Sequence, residues 1–160
     1  MLFRSFTYGL NTAVGYKAWS LTFFFQGVQG GQVYNSYKYL TDFTSLAPGS
    51  NWGTRTLQAW TPKNPTSTIP ALTLVNNNDE GRYSTYFLES ASYLKLRNIQ
   101  LAYDIRNAFK KVKFQRASIY IQASNLLRFK GSSYTGPDPE NPGNGYPIPV
   151  VTTIGINLSY

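Results

Sequence analysis

The chain has no cysteine and no histidine among its 160 residues. Without cysteine, neither a disulfide framework nor a thiolate metal site can form. Without histidine, the commonest general base and the commonest metal ligand are both missing. Neither a Ser-His-Asp nor a Cys-His arrangement can be built. Charge is sparse as well, at 14% of residues, against roughly 25% in an ordinary soluble domain. Only seven residues are acidic: Asp42, Asp79, Glu80, Glu89, Asp104, Asp138 and Glu140. A glycosidase needs two carboxylates flanking one bond, and no spacing here pairs two of them. Catalysis is therefore not expected, and no cofactor is implied. No apolar run approaches the ~18 residues of a membrane helix. The opening Met1-Leu2-Phe3-Arg4-Ser5 lacks the apolar core of a secretion signal.

What the chain does have is aromatic mass and positive charge. Phe, Trp and Tyr make up 16%, and the formal charge is +8. Low charge with many aromatics suits a surface that meets lipid, and equally a β protein that binds sugars. Five basic residues, Arg106, Lys110, Lys111, Lys113 and Arg116, crowd into one short stretch. The others are scattered, so no groove or stacking platform for nucleic acid is indicated. The stretch reads as a solvated turn.

Alternation with period two dominates the pattern. Phe6, Tyr8, Leu10, Thr12, Val14 and Tyr16 share one face, and Thr7, Gly9, Asn11, Ala13 and Gly15 the other. Lys17-Ala18 can only be a tight turn. Trp19, Leu21, Phe23 and Phe25 follow, alternating with Ser20, Thr22, Phe24 and Gln26. The pattern returns from Tyr93, with Ile99, Leu101, Tyr103 and Ile105 against Asn98, Gln100, Ala102 and Asp104. Lys95 and Arg97 extend the apolar row of that strand by simple alternation. Ala117, Ile119, Ile121 and Ala123 oppose Ser118, Tyr120, Gln122 and Ser124, and a last strand closes on Ile154, Ile156, Leu158 and Tyr160. Strands are expected near 6–16, 19–27, 93–105, 117–127 and 149–160. Long loops are expected near 28–92 and 128–148, the first with a helix over Val33–Leu46 that ends at Pro48-Gly49.

Two architectures fit such strands. In a β-sandwich the apolar face packs on a second sheet. In an outer-membrane barrel it faces lipid, short turns lie on the periplasmic side and long loops outside. The barrel is favoured by the uncharged apolar rows, the alternation of short and long connections, and strands long enough for an apolar band about 25 Å tall. Aromatics near strand ends (Phe6, Tyr16, Trp19, Tyr93, Tyr160) resemble an interfacial girdle. Five strands cannot close a barrel, since the smallest single-chain bacterial barrels have about eight. The fold expectation is thus all-β, a piece of an antiparallel transmembrane barrel. The alternative is a secreted or surface β-sandwich module that binds glycans.

An ordered set of short stretches resembles the SusC/RagA family of TonB-dependent outer-membrane transporters of the Bacteroidetes type. It comprises Phe6-Thr7-Tyr8-Gly9-Leu10-Asn11, Phe24-Phe25-Gln26-Gly27 with Tyr34-Asn35, Trp60-Thr61-Pro62-Lys63-Asn64-Pro65, Ser92-Tyr93-Leu94-Lys95-Leu96-Arg97-Asn98-Ile99, Ser124-Asn125-Leu126-Leu127 and Asp138-Pro139-Glu140. The resemblance runs from about Phe6 to Tyr160. It implies the last five strands of a barrel of about 22 strands with a plugged lumen. It also implies residence in the outer membrane, uptake of an oligosaccharide or peptide, a SusD-like surface lipoprotein as lid, and drive from TonB through a plug domain that this sequence does not include. Ile154, Ile156, Leu158 and Tyr160 look like the signal read by the barrel-assembly machinery. Met1–Ser5 resembles nothing expected before the first strand, so the start of the chain is expected to lie within a longer protein. Tyr34, Tyr37, Trp52 and Trp60 in the long loop are the candidate contacts for ligand or partner, since aromatic faces stack on sugars and enrich interfaces. Asp138 and Glu140 fit a Pro-flanked turn better than a cation site.

Overall fold

The computed structural model describes residues 4–106, 114–143 and 145–159. The chain divides into two compact units. The first, the sheet unit, takes the chain up to Gly31, then Ser92–Gly131, then the chain from Ile148 onward. The second, the loop unit, is Gln32–Ala91 with Ser132–Pro147.

Five strands make the sheet unit: β1 (Ser5–Tyr16), β2 (Trp19–Gly30), β5 (Tyr93–Asp104), β6 (Arg116–Lys130) and β7 (Val151–Ser159). They form one antiparallel sheet in the order β1-β2-β5-β6-β7. The hairpin between β1 and β2 closes on Tyr16↔Trp19. Its turn residue Lys17 has φ 54°, a positive value of the kind found at the first central position of type II′ turns. β1 and β7 are the outer strands, each paired on one side within this chain.

The apolar residues line up across the sheet because facing residues of an antiparallel pair project from the same side. One row runs Tyr16, Trp19, Tyr103, Ile119, Ile156, and the next runs Val14, Leu21, Leu101, Ile121, Ile154. No second sheet covers this face among the described residues. Leu10 is 58% exposed, Ile156 61% and Ile154 75%. In a sandwich these side chains would be the core. Glycine makes room for rings at two places. Tyr8 lies over Gly27 on the apolar side, and Tyr120 lies over Gly155 on the polar side, its Cζ 2.5 Å from where a Cβ of residue 155 would sit.

One face assignment changes in the folded sheet. Register slips between Phe24/Phe25 of β2 and Leu96/Asn98 of β5, which leaves Arg97 as an extra, bulged residue. The bulge resets the alternation. Leu94 and Leu96 lie opposite Gly27 and Phe25, whereas Lys95 lies opposite Gln26. Lys95 and Arg97 are therefore not part of the apolar row, and the Arg97 Nε donates to Gln26 Oε1 at 2.8 Å. β6 absorbs the same irregularity with two residues, Asn125 and Leu126, between Ser124 and Leu127. Asn125 has φ 57°, and Asn is among the few side chains that take the left-handed region readily.

The loop unit has its own small sheet, β3 (Gln32–Tyr34) against β4 (Leu88–Ser90). Two short 3-10 turns lie at Thr54–Gln58 and Thr85–Phe87. The helix expected over Val33–Leu46 is reduced to α1, Lys38–Thr41. Tertiary partners claim its flanks. Residues 32–34 pair with β4, and the Asn35 amide N–H bonds the Phe87 carbonyl. Beyond α1, the Asp42 carboxylate is drawn to Arg55 and Tyr86.

Candidate functional site

The sheet offers two surfaces of opposite character. The apolar side has no Asp, Glu, Lys or Arg in the rows that start from Tyr16, Val14 and Thr12 on β1. The other side carries Asn11, Gln26, Asn98, Gln100, Tyr120 and Gln122, with Lys95 opposite both Gln26 and Arg128. One side suits a hydrocarbon solvent and the other an aqueous interior. Alternation imposes this segregation strand by strand.

In the loop unit, aromatic side chains make the core. Phe87 is its centre. Its ring stacks on Tyr39 at 4.3 Å and lies 5.3 Å from Tyr34, 5.4 Å from Tyr86 and 5.7 Å from Phe43. Beside it sits a buried polar node. The Glu89 carboxylate accepts from Asn35 Nδ2 at 2.7 Å, from the Thr135 N–H at 2.9 Å and from the Thr135 hydroxyl at 2.8 Å. Lys38 Nζ completes the set at 2.9 Å and also donates to the Tyr86 carbonyl at 2.6 Å. A second buried carboxylate, Asp42, takes Arg55 Nη1 and the Tyr86 hydroxyl, each at 2.7 Å.

These surroundings set the protonation states. Burial works against charge on Glu89, yet the bonds from Thr135, Lys38 and Asn35 outweigh it and hold its carboxyl below the ordinary value. Burial pushes the Tyr86 phenol well above its usual value, and its hydrogen bond to Asp42 adds to the effect. Tyr34 is raised likewise, by burial first and then by its 2.5 Å hydroxyl contact with Tyr39.

The four aromatic candidates part ways. Tyr34 is half-buried in the ring cluster, with its hydroxyl on Tyr39. Tyr37, immediately before α1, Trp52 and Trp60 keep exposed surface. The Trp52 indole N–H is held by the Ala47 carbonyl at 3.0 Å. The Trp60 backbone N–H is held by the Ile69 carbonyl at 2.8 Å. Of the residues that knit the unit together, Asn35 falls in the Tyr34-Asn35 stretch of the resemblance, while Lys38, Glu89 and Thr135 carry no periodic or motif signal in the sequence. At Asp138 the side chain closes a turn by accepting from the Glu140 N–H at 3.0 Å. Among the described residues no group of three or more His, Cys, Asp or Glu side chains gathers to hold a metal. Ile154, Ile156 and Leu158 stand in the apolar row of β7; Tyr160 lies outside the described residues, as do Lys110, Lys111 and Lys113.

No family model matches the chain. Individual relatives do. A TonB-dependent receptor of Formosa agariphila is 29% identical over 96% of the chain, and the TonB-dependent receptor SusC of Bacteroides thetaiotaomicron is 27% identical over 95%. The chain spans only 17% and 15% of those two proteins. Among solved structures, the RagAB peptide importer in its open-open state matches with a TM-score of 0.72 and 29% identity over 99% of the chain, which covers 17% of that chain. Its closed-closed state matches with a TM-score of 0.70.

Proposed function

We propose that this chain, a homologue of the TonB-dependent receptors of the SusC/RagA type, is a stretch of barrel wall from an outer-membrane nutrient importer. The observation that carries the reading is the sheet's apolar face, uncharged along three successive rows that start from Tyr16, Val14 and Thr12 on β1 and left open by the described residues. Water would penalise such a face, and lipid solvates it. The strands are long enough to cross. β1, β2 and β5 have twelve residues each, which at ~3.3 Å per residue and a tilt near 45° rise roughly 28 Å. The five strands belong to a barrel of about 22, with the outer edges of β1 and β7 paired to strands elsewhere in the longer protein. Insertion proceeds through the barrel-assembly machinery, which reads Ile154, Ile156, Leu158 and Tyr160.

The loop unit faces the cell exterior in this reading. Tyr37, Trp52 and Trp60 meet a SusD-like lipoprotein or the incoming oligosaccharide or peptide, while Tyr34 packs in the ring cluster with Tyr39 and Phe87. Energy reaches the barrel from TonB through a plug domain elsewhere in the protein. The RagAB structures are of a peptide importer, which supports a peptide as one of the two substrate classes.

Fractionated membranes probed with an antibody to residues 51–65 test the proposal. The expected result is a band in the outer membrane several times larger than 18.0 kDa. A band confined to the soluble fraction overturns it.

A further inference from the structure

A hollow of about 450 Å³ opens on the polar side of the sheet, at the short-turn end of the strands. Gly15, Ser20 and Ser118 line it, with Lys17, Asp104, Arg106 and Arg116. The depression follows from side-chain size. The polar-side row that starts at Gly15 continues through Ser20 and Ala102, three small residues in succession. Tyr120, next in that row, leans away over Gly155 on β7.

The charges around the hollow do not balance. Asp104 is the only acidic residue of the sheet unit. Arg106 already holds it, with Nη2 at 2.6 Å and Nε at 2.8 Å from Oδ2. Arg116 is exposed and has no carboxylate partner among the described residues. Lys17 leans on the exposed Tyr16 ring, 5.3 Å from its centroid. Such an exposed cation–π contact is weak, and an anion can displace it.

The spacing of the two cations limits what they can hold. Lys17 joins β1 to β2, Arg116 begins β6, and β5 lies between. Two to three strand spacings, roughly 10–14 Å, therefore separate their backbone positions. One carboxylate does not span that distance, whereas an oligomer with acids on different units does. The planar fork of Arg116 matches a carboxylate. A neutral cargo gains nothing from either cation.

We propose that this hollow is a carboxylate-binding subsite on the route of the cargo, and that the cargo is an acidic oligomer. The inference rests on the importer reading above, in which the polar side is the aqueous interior and the short turns mark its periplasmic mouth. Fixed positive charge at such a mouth draws anions through it, as rings of Arg and Lys do in anion pores. The carboxylates have two possible sources, Glu or Asp side chains of a peptide and uronic acids of an oligosaccharide.

The test uses the whole outer-membrane protein that contains this sequence, extracted in mild detergent. Fluorescently labelled oligoglutamate, oligogalacturonate and oligoglutamine are titrated in separate arms. At least one acidic probe should bind, more weakly as salt is raised, and oligoglutamine should not. Arg116→Gln and Lys17→Gln should each weaken that binding by up to about fivefold, the effect of one exposed ion pair. Gly15→Tyr, which fills the hollow and leaves both cations in place, should abolish it. The added Cβ meets only the Trp19 carbonyl oxygen, at 3.9 Å, so the strand accommodates the change. Binding of one acidic probe alone identifies the source of the carboxylates; binding of both shows that the charge is read and not the cargo's backbone. The subsite is overturned if neither acidic probe binds, if oligoglutamine binds as tightly, or if Arg116→Gln and Gly15→Tyr leave the affinity unchanged. The importer reading survives each of these results if the protein still fractionates with the outer membrane. Absence from that membrane defeats both.

Discussion

Lys38 and Glu89 meet as an ion pair, Nζ to Oε1 2.9 Å, with side chains 7% and 5% exposed. They come from α1 and β4, and the Glu89 carboxylate also holds Thr135 on the second excursion from the sheet. One carboxylate thus ties three segments of the loop unit. Removing a partner from such a pair strands a buried charge, which costs about 3–5 kcal/mol. Lys38→Met should therefore loosen the loop unit by about that amount, read as faster amide exchange across residues 132–143 of the intact protein. Unchanged exchange would show that the node is not a fastening.

The same carboxylate makes the fastening pH-dependent. Its folded pKa is depressed, so its contribution to stability is complete above the unfolded value of about 4.5 and is lost as pH falls through the lower folded value. Amide protection of residues 132–143 should hold from neutrality down to about pH 5 and fall progressively as pH drops below the unfolded value of about 4.5. In Glu89→Gln the protection should be weaker at neutrality and flat over the same range. A wild-type profile as flat as that of the variant would refute the linkage.

Adjacent residues in β6 test which face meets lipid. Ile121 projects with the apolar rows and Gln122 with the polar side, opposite Gln100. Ile121→Arg should cost about 2–4 kcal/mol of barrel stability if that position is near the bilayer midplane, and Gln122→Arg little. The yield of folded, heat-modifiable protein in outer membranes measures the difference. Equal yields would mean that the faces have been assigned wrongly.

Tyr120 and Gly155 test packing on the polar side. A side chain at residue 155 would collide with the ring, its Cβ 2.5 Å from Tyr120 Cζ. Overpacking of this kind costs about 1–3 kcal/mol. Gly155→Val should lower the temperature at which the folded band is lost on electrophoresis, and adding Tyr120→Ala should recover part of that loss. No recovery would place the strain elsewhere.

The sheet was legible in the sequence because a half-buried strand writes its environment into every second residue. Phe6 through Tyr16 announce β1, and Ile154, Ile156 and Leu158 announce the apolar row of β7, without reference to any partner. The loop unit was not legible, for the converse reason. Asn35, Lys38, Glu89 and Thr135 are brought together across separations of 46 to 100 residues, and no local period records such a meeting. The helix signal over Val33–Leu46 failed on its N-terminal side because β4 and the Phe87 carbonyl take up backbone groups that a longer helix would have used. Of the loop aromatics, composition alone could not separate Tyr34, which turns into the ring cluster, from Tyr37, Trp52 and Trp60, which remain exposed.

The bulge at Arg97 gives β5 something like a reading frame. Before it, the even-numbered Leu94 and Leu96 speak to the apolar side; after it, the odd-numbered Ile99, Leu101 and Tyr103 do. Deleting this one residue would leave the composition nearly untouched and invert the meaning of half the strand. Lys95 would then be carried to the greasy side, or Ile99 and Leu101 to the wet one. The position can therefore be less tolerant of deletion than of substitution: another polar residue gives up the bond to Gln26 but keeps the frame.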